Sequence, residues 1–326
     1  MTHPERVAAV ERLGFTQRQA EFLVMVMLHS GVCVGRQYCT FAGIVRGQTM
    51  VDFFDRLEIR RFATAYRCGH NKARVYHIHK AGLYEAIAQR DARFRKRSIL
   101  ARTIERLMIL DHVVAHRELS WLGTEDDKLA HFLTSTSLQR EELPKLSFGE
   151  GARAVVRYFP DKLPIGVSRD GRSHVLVYLL LGPLPHDFRA FLRRHAELLR
   201  GLPGWSVRLL VPTGVKGEVV KAYERAFREE LAVPLHPQVA AELRWFYRSA
   251  DVTATLDHAR LKKARRAFGA PRFRVLQRMW LLDGDRVVDV AMSTSLSDAI
   301  ARDEGRLECH ELRGQYFHLS PLVGSA

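Results

Sequence analysis

The sequence predicts a protein of the mixed α/β class (α+β), with a helical part first and a sheet-containing part second. Helix-period apolar patterns and one hairpin signal fill the first hundred residues, whereas buried strand patterns alternate with amphipathic helices from Arg153 onward. The length of 326 residues and the apolar fraction of 47% suit two globular domains with sizeable cores.

Positive charge is concentrated toward the N-terminus. The whole chain has 51 Lys and Arg against 36 Asp and Glu, a net charge of +15. Residues 1–98 hold 17 of the basic and 8 of the acidic residues, a net charge of +9 in less than a third of the chain. Such a localised excess of positive charge indicates nucleic acid as the first partner to consider.

Membrane insertion and secretion find no support in the sequence. No apolar run exceeds the seven residues of Val175–Leu181, far below the ~18–20 that a membrane span needs. The first residues carry acids and lack an apolar signal core. Four cysteines, Cys33, Cys39, Cys68 and Cys309, are too few and too scattered for a disulfide framework. We therefore expect a cytoplasmic protein with no membrane partner.

A capping box predicts the start of the first strong helix. Thr16 supplies the N-cap hydroxyl and Gln19 follows three residues later. The residues after them are strongly apolar, so the helix is expected to be buried until Gly31 ends it. A second short helix, about Arg36–Val45, is expected to end at Gly47.

A third helix, about Gln48–Ile59, has two contrasting faces. Met50, Phe54 and Leu57 lie at helical spacing with Val51 beside them, which predicts the face toward the core. The polar residues of the opposite face are Gln48, Thr49, Asp52 and Arg56.

A hairpin follows the third helix. Residues 61–68 and 73–79 have strand-like composition and flank the turn Gly69-His70-Asn71-Lys72, and a further helix comes after them. Three short helices, a basic hairpin and a fourth helix are the order of a winged helix-turn-helix, which residues 16–90 resemble. In that fold a small helical core presents one polar helix to the major groove, and the hairpin reaches phosphates or the minor groove.

The resemblance implies a set of DNA-binding residues, which fall into three groups. Gln48, Thr49, Asp52 and Arg56 would face base edges, where Gln and Arg can form paired hydrogen bonds with adenine and guanine. Arg36, Gln37, Tyr38 and Arg46 would lie near the DNA backbone. The wing would be formed by Arg67, His70, Asn71, Lys72 and Arg74, which would add sequence-independent affinity. A protein-docking wing and a different small helical fold remain alternatives.

The next helix, about Ala92–Arg117, opens with several basic residues. It can serve as a connector, as a dimer helix that pairs two half-site readers, or as a helix packed on the winged domain. Together with the acid-rich stretch 118–150 it forms the expected connecting segment. The predicted domains are therefore 1–92, a connecting segment 93–150, and 151–326.

Strands and helices alternate in the second part. Residues 153–168 and 174–182 predict strands, 185–203 an amphipathic helix, 205–214 a buried strand and 218–232 another helix. This β-β-α-β-α order predicts a mixed sheet with helices packed on it.

A winged helix followed by Pro160-Asp161, a buried strand, a helix and a strand ending in Val211-Pro212 resembles the replication-relaxation proteins of plasmids and integrative elements. The resemblance covers about 16–90 and 153–232 and implies a second domain similar to the PD-(D/E)xK nuclease core. A working nuclease of that type holds Mg²⁺ with an Asp and an acid-x-Lys on the next strand. Residues 177–180 contain neither an acid nor a Lys, so we expect an inactive nuclease-like domain in which Asp161 is structural.

Other chemistry finds little support. The spacings of Cys33, Cys39, Cys68 and His70 do not match the C-x2–4-C pattern of zinc sites, so buried thiols are the better interpretation. We expect no catalytic residue, no metal and no cofactor. The acid-free run 260–278 offers Lys262, Lys263, Arg265 and Arg266 as a second phosphate-contacting patch, with a solvated face or a dock for an acidic protein partner as alternatives.

Taken together, the sequence predicts a protein that binds double-stranded DNA, as a transcriptional regulator or as a replication or maintenance accessory of a mobile element. A homodimer on a palindromic site is compatible with this function. A protein-binding scaffold in a defence or transposition complex and a metal-dependent nuclease with a non-standard site remain alternatives.

Overall fold

The computed structural model describes residues 1–68, 73–149, 155–249, 258–314 and 316. The chain divides into two compact units, residues 1–123 with 311–326, and residues 124–310. The boundary falls inside the connecting segment predicted for 93–150, and the C-terminal residues group with the first unit. The predicted mixed α/β class is confirmed. In the part of the chain that is described, no helix combines the length and the apolar character needed to cross a membrane.

The first unit is mainly helical. Its elements are α1 (His3–Glu11), α2 (Gln17–His29), β1 (Val32–Val34), α3 (Gly35–Ala42), α4 (Gln48–Ile59), β2 (Ala63–Arg67), β3 (Arg74–Ile78), α5 (Ala81–Ala86), α6 (Leu100–Ala115) and β4 (Ser120–Leu122).

The second unit alternates strands and helices before a helical C-terminal part. Its elements are α7 (Glu125–Ser135), β5 (Lys145–Phe148), β6 (Val155–Tyr158), β7 (Ile165–Val167), β8 (Ser173–Leu179), α8 (His186–Arg200), β9 (Gly204–Pro212), α9 (Gly217–Phe227), α10 (Pro237–Ser249), α11 (His258–Ala267), α12 (Pro271–Asp283), α13 (Arg286–Met292), α14 (Ser295–Ala301) and β10 (Gly305–Leu312).

The predicted capping of α2 is confirmed. The Thr16 hydroxyl accepts a hydrogen bond from the Gln19 backbone N–H at 3.4 Å, and the Gln19 side chain accepts one from the Thr16 N–H at 3.2 Å. Gly31 follows the helix with a φ of +74°, a left-handed conformation that favours glycine. The element α4 has the predicted bounds.

The end of α3 differs from the prediction. The helix stops at Ala42 because Gly43 adopts a φ of +65° and the Ile44 N–H donates to the Cys39 carbonyl at 3.0 Å, which closes the helix four residues before Gly47. Gly47 instead precedes α4 in an extended conformation.

The three strands β1, β2 and β3 form an antiparallel sheet in the order β1-β3-β2. The predicted β2–β3 hairpin is present, with Arg67 opposite Arg74, and its turn at 69–72 lies outside the described residues. The succession α2-β1-α3-α4-β2-β3 is the order of elements in a winged helix-turn-helix. The side chains of Leu110 and Val114 on α6 lie in the apolar core of this domain. Of the three alternatives predicted for this helix, packing on the winged domain is therefore the one observed.

The predicted β-β-α-β-α order matches β7-β8-α8-β9-α9. The region predicted as the first strand, 153–168, holds two strands, and the first of them, β6, pairs with β5 in a separate two-stranded sheet. Strand β8 is antiparallel to β7 and parallel to β9, and α8 makes the crossover between the parallel pair. Within this unit the strands follow the order β10-β9-β8-β7. The helices α10 to α14 follow this core, and a separate apolar cluster forms among α10 to α13.

Candidate nucleic-acid interface

Helix α4 is fixed to the core by one face. Phe53, Phe54 and Leu57 are buried, and the Phe54 ring stacks on Tyr76 of β3 with centroids 4.0 Å apart. Val51, predicted beside this face, is exposed, because Phe53 takes the place next to Phe54 in the core. The helix therefore presents its other face in a defined orientation.

The polar face of α4 lies at the surface as predicted. Gln48, Thr49, Asp52 and Arg56 are all exposed, and the Gln48 amide donates to Asp52 Oδ1 at 2.6 Å. Arg46, in the turn before the helix, is exposed as well. Asp55, which was not among the predicted site residues, adds a second exposed carboxylate to this helix.

The wing strands bring two of the predicted cations together. Arg67 is exposed and lies opposite Arg74 in the hairpin register. Arg74 Nη1 donates to Glu58 Oε1 at 3.2 Å, which ties the hairpin to α4. The predicted wing residues His70, Asn71 and Lys72 lie outside the described residues.

The prediction that Gln37 lies at the DNA backbone is wrong. The residue has no exposed surface, and a buried side chain cannot contact DNA. Its amide donates to the Leu107 carbonyl at 2.9 Å and to Asp111 Oδ1 at 2.8 Å, and its carbonyl oxygen accepts from the Val34 N–H at 3.0 Å. Gln37 therefore joins α3 to α6 inside the domain. The same prediction for the neighbouring Tyr38 is also wrong, because its side chain is buried in the apolar core.

Arg36 also makes an internal contact. Its guanidinium donates to both carboxylate oxygens of Asp111, at 2.7 and 2.6 Å, and the Tyr316 hydroxyl donates to the same carboxylate. Burial alone would lower the pKa of Arg36, but the hydrogen bonds and the charge of Asp111 outweigh it and raise the pKa. Arg36 is thus part of a structural ion pair, and 40% of its side chain is exposed.

A second cationic surface lies on α11. Leu261 and Ala264 are buried, and the four predicted cations on the other side of the helix are exposed: Lys262, Lys263, Arg265 and Arg266. No ion pair of these four occurs within the described residues. The neighbouring Arg260 differs, because it stacks on Trp245 at 3.8 Å and pairs with Glu242 at 2.8 Å.

Asp161 and Glu230 of the second unit both form ion pairs with arginines of α8. Both carboxylate oxygens of Asp161 accept from Arg194 Nη1, at 2.6 and 2.7 Å. Glu230, which has no exposed side-chain surface, accepts from Arg189 at 2.7 Å and from Arg193 at 2.5 Å. These ion pairs hold α8 in place. Arg189 and Arg193 belong to the amphipathic pattern predicted for 185–203, and that pattern gave no sign of the buried ion pairs.

The thiols predicted to be buried are buried. Cys33 lies in the core of the winged helix and Cys68 in a second apolar cluster on the other side of the sheet. Burial raises the pKa of Cys33, Cys39 and Cys68, which keeps the thiols protonated. His70, the fourth member of the rejected zinc set, lies outside the described residues.

Comparison of the chain with known proteins found no matching family model, no matching curated protein and no matching solved structure.

Proposed function

We propose that the protein binds double-stranded DNA through the winged helix of its first unit, with α4 in the major groove. The observation that carries this proposal is the division of α4 into a face locked onto the core and a face of exposed hydrogen-bonding side chains. A rigid helix with such a face is the element that winged helix-turn-helix domains insert between the strands of a duplex.

The exposed residues of α4 have the chemistry for reading bases. Arg56 can donate two hydrogen bonds to guanine, and Gln48 can pair with adenine. Asp52 accepts from Gln48 in the free protein and can accept instead from a cytosine amino group. Arg46 and Arg67, exposed beside the helix and on the wing, supply attraction to phosphates that does not depend on sequence.

The second unit adds the cationic face of α11, which supports a further backbone contact. Because the Asp161 carboxylate is held by Arg194, a structural role suits it better than a role as a metal ligand. The resemblance to replication-relaxation proteins favours a regulator, or a replication or maintenance accessory, of a mobile element that acts in the cytoplasm. Binding as a homodimer to a palindromic site belongs to the same proposal.

Site selection from random duplexes, followed by fluorescence anisotropy across a salt series, tests the proposal. Arg56→Gln is expected to weaken the selected site by about 5- to 150-fold, the worth of one paired base contact, with little change on random duplex. Arg67→Gln is expected to weaken both DNAs equally and to reduce the salt slope by about 0.9.

The matched control is Arg169→Gln, which removes one exposed charge in the second unit, away from both surfaces along the chain. This variant should bind the selected site and random duplex with affinities within about twofold of those of the wild type. Absence of any binding to duplex at low salt overturns the proposal, and equal losses for Arg56→Gln on selected and random DNA overturn the placement of α4 in the groove.

A further inference from the structure

The second unit contains a cavity of about 180 Å³. Residues of α8, α12 and α13 line it, together with residues 141–145, which lead into β5. All of these residues belong to the unit 124–310. A buried water molecule needs only about 10–15 Å³, so the cavity has room for a small organic molecule.

Four of the residues that line the cavity are apolar: Leu143, Met279, Val287 and Val290. Leu143 and Val287 are buried, and Met279 and Val290 are half-buried. Aliphatic side chains favour an apolar group of a ligand, and the flexible thioether of Met279 can adapt to its shape. This part of the cavity wall therefore suits a ligand with a small aliphatic part.

Arg193 is the buried charged residue of the cavity wall, with 2% of its side chain exposed. Its Nε donates to Glu230 Oε2 at 2.5 Å. Its Nη2 is also buried, and it has no hydrogen-bond partner in the part of the chain that the structure describes. A buried charged donor without an acceptor is costly, and a carboxylate matches a guanidinium in both shape and charge. A ligand in the cavity can supply that carboxylate.

The other cations of the cavity wall have partners within the protein. Arg194 donates to both carboxylate oxygens of Asp161, at 2.6 and 2.7 Å. Arg286 donates to both oxygens of Glu197, also at 2.6 and 2.7 Å. Lys145 Nζ donates to a backbone carbonyl at 3.4 Å. The Nη2 of Arg193 is therefore the donor that a ligand would satisfy.

Two acids of the cavity wall remain available to a positively charged group. Glu142 accepts from a backbone N–H at 2.7 Å. Glu141 and Asp283 are exposed, and no ion pair of either occurs among the described residues. The pKa of Arg286 is raised first by its hydrogen bonds to Glu197 and less by the charge of Asp283, so Asp283 lies near this pair without belonging to it.

We propose that this cavity binds an α-amino acid with an aliphatic side chain. The ligand carboxylate accepts from Arg193, the ammonium group faces Glu141 and Asp283, and the side chain packs on the apolar part of the wall. A ligand with several negative charges, such as a phosphate ester, is disfavoured because the two acids would repel it. A plain amine is disfavoured because it would leave Arg193 without its acceptor. The inference does not rest on the proposed function, because α4 belongs to the other unit.

Isothermal titration calorimetry on the full chain tests the inference with alanine, valine, leucine, isoleucine and methionine. At least one of them is expected to bind with a Kd of about 1 mM or lower. The best binder is then compared with its analogues that lack one charged group, which for leucine are 4-methylpentanoate and 3-methylbutylamine. Each analogue should bind at least tenfold more weakly, because it loses a charge-assisted contact.

Three variants assign the parts of the ligand. Val290→Phe places a ring in the cavity and should weaken the amino acid at least tenfold. Arg193→Lys keeps a positive charge beside Glu230 but loses the second donor, so it should weaken the amino acid at least tenfold and leave the amine analogue unchanged. Asp283→Asn should weaken the amino acid at least threefold and leave the analogue without an ammonium group unchanged.

The matched control is Asp298→Asn, which removes an exposed acid of α14 that does not line the cavity. Its affinity for the amino acid should stay within about twofold of the wild type. A thermal melt checks the folding of each variant. If Val290→Phe and Arg193→Lys fail to fold, Asp283→Asn decides, because its position is exposed.

The outcomes that overturn the inference are distinct. Absence of binding by all five amino acids overturns it outright. Undiminished binding by Val290→Phe overturns it because the ligand then lies elsewhere. Equal binding of the amino acid and the analogue without an ammonium group, or an unchanged affinity of Asp283→Asn, overturns the assignment to an amino acid. The affinity for DNA is measured separately, so a failure here leaves the proposed function standing.

Discussion

Removal of the Asp111 carboxylate tests the internal network that joins α3, α6 and Tyr316. The carboxylate accepts two hydrogen bonds from Arg36, one from Gln37 and one from Tyr316. Breaking a buried ion pair costs about 3–5 kcal/mol, but the 40% exposure of Arg36 lets water replace part of the loss. We therefore expect Asp111→Ala to lower the free energy of unfolding by about 2–4 kcal/mol.

Calorimetry and hydrogen exchange measure this effect. At about 3 °C per kcal/mol for a unit of this size, the unfolding temperature of the first unit should fall by about 6–12 °C. Exchange should rise in peptides from α3 and α6 and stay constant in α8. Asp111→Asn, which keeps one neutral acceptor, should cost less than Asp111→Ala.

Asp91→Ala is the control, since this exposed acid has no ion pair among the described residues and should change stability by less than about 0.5 kcal/mol. A loss for Asp111→Ala no greater than that of the control would refute the reasoning. So would strict additivity with Arg36→Gln, because two residues that share one ion pair must be coupled.

Three further predictions concern stability. Glu230→Gln should lower the free energy of unfolding by about 3–5 kcal/mol, because it leaves the buried Arg193 without its counter-charge and Arg189 with Glu229 alone. The loss should appear as faster hydrogen exchange in α8, and unchanged protection would contradict the buried pairs. Burial lowers the pKa of His195 to about 4 from an ordinary 6.5, so the unfolded chain takes up the proton first and stability falls as the pH drops from about 6.5 to about 4. The free energy of unfolding should change by about 1.4 kcal/mol per pH unit in this range. His195→Gln should reduce this pH dependence, measured by urea unfolding at several pH values. An unaltered pH dependence would rule His195 out as its source. Gly31→Ala should lower the free energy of unfolding by more than about 2 kcal/mol, because φ is +74° and the new Cβ would lie 2.5 Å from the Phe94 carbonyl oxygen. The control Gly82→Ala, in open space on α5, should not lower it. Equal melting temperatures for the two variants would disprove the clash.

The helices that the sequence predicted well carry their signals locally. α4 has a glycine before it and a two-sided pattern along its length, and both of its ends were predicted. The end of α3 was missed because Gly43 and Gly47 are equally plausible from their identity, and the choice depends on which backbone N–H reaches the Cys39 carbonyl. β1 was missed because its three residues are too short for a period to show.

The residues of the candidate site likewise divide into those with a local sequence signal and those without one. The exposed face of α4 follows from helical periodicity, so its four predicted residues were placed on the surface from sequence alone. The position of Gln37 in the sequence, next to exposed helix residues, gave no sign that an acceptor 74 positions later would bury it. Long-range polar pairing of this kind has no local signature.

The charges of α4 bear on how selective the proposed DNA binding would be. Asp52 and Asp55 are exposed on the helix, Glu58 pairs with Arg74, and Arg56 is the basic residue among them. A carboxylate brought near phosphates weakens binding unless a donor such as a cytosine amino group meets it. On the proposed function, α4 would reject wrong sequences by repulsion as much as it selects right ones by attraction. The affinity would then have to come from cations outside the helix, which is why the large net charge of the chain and its sequence preference are expected to reside in different residues.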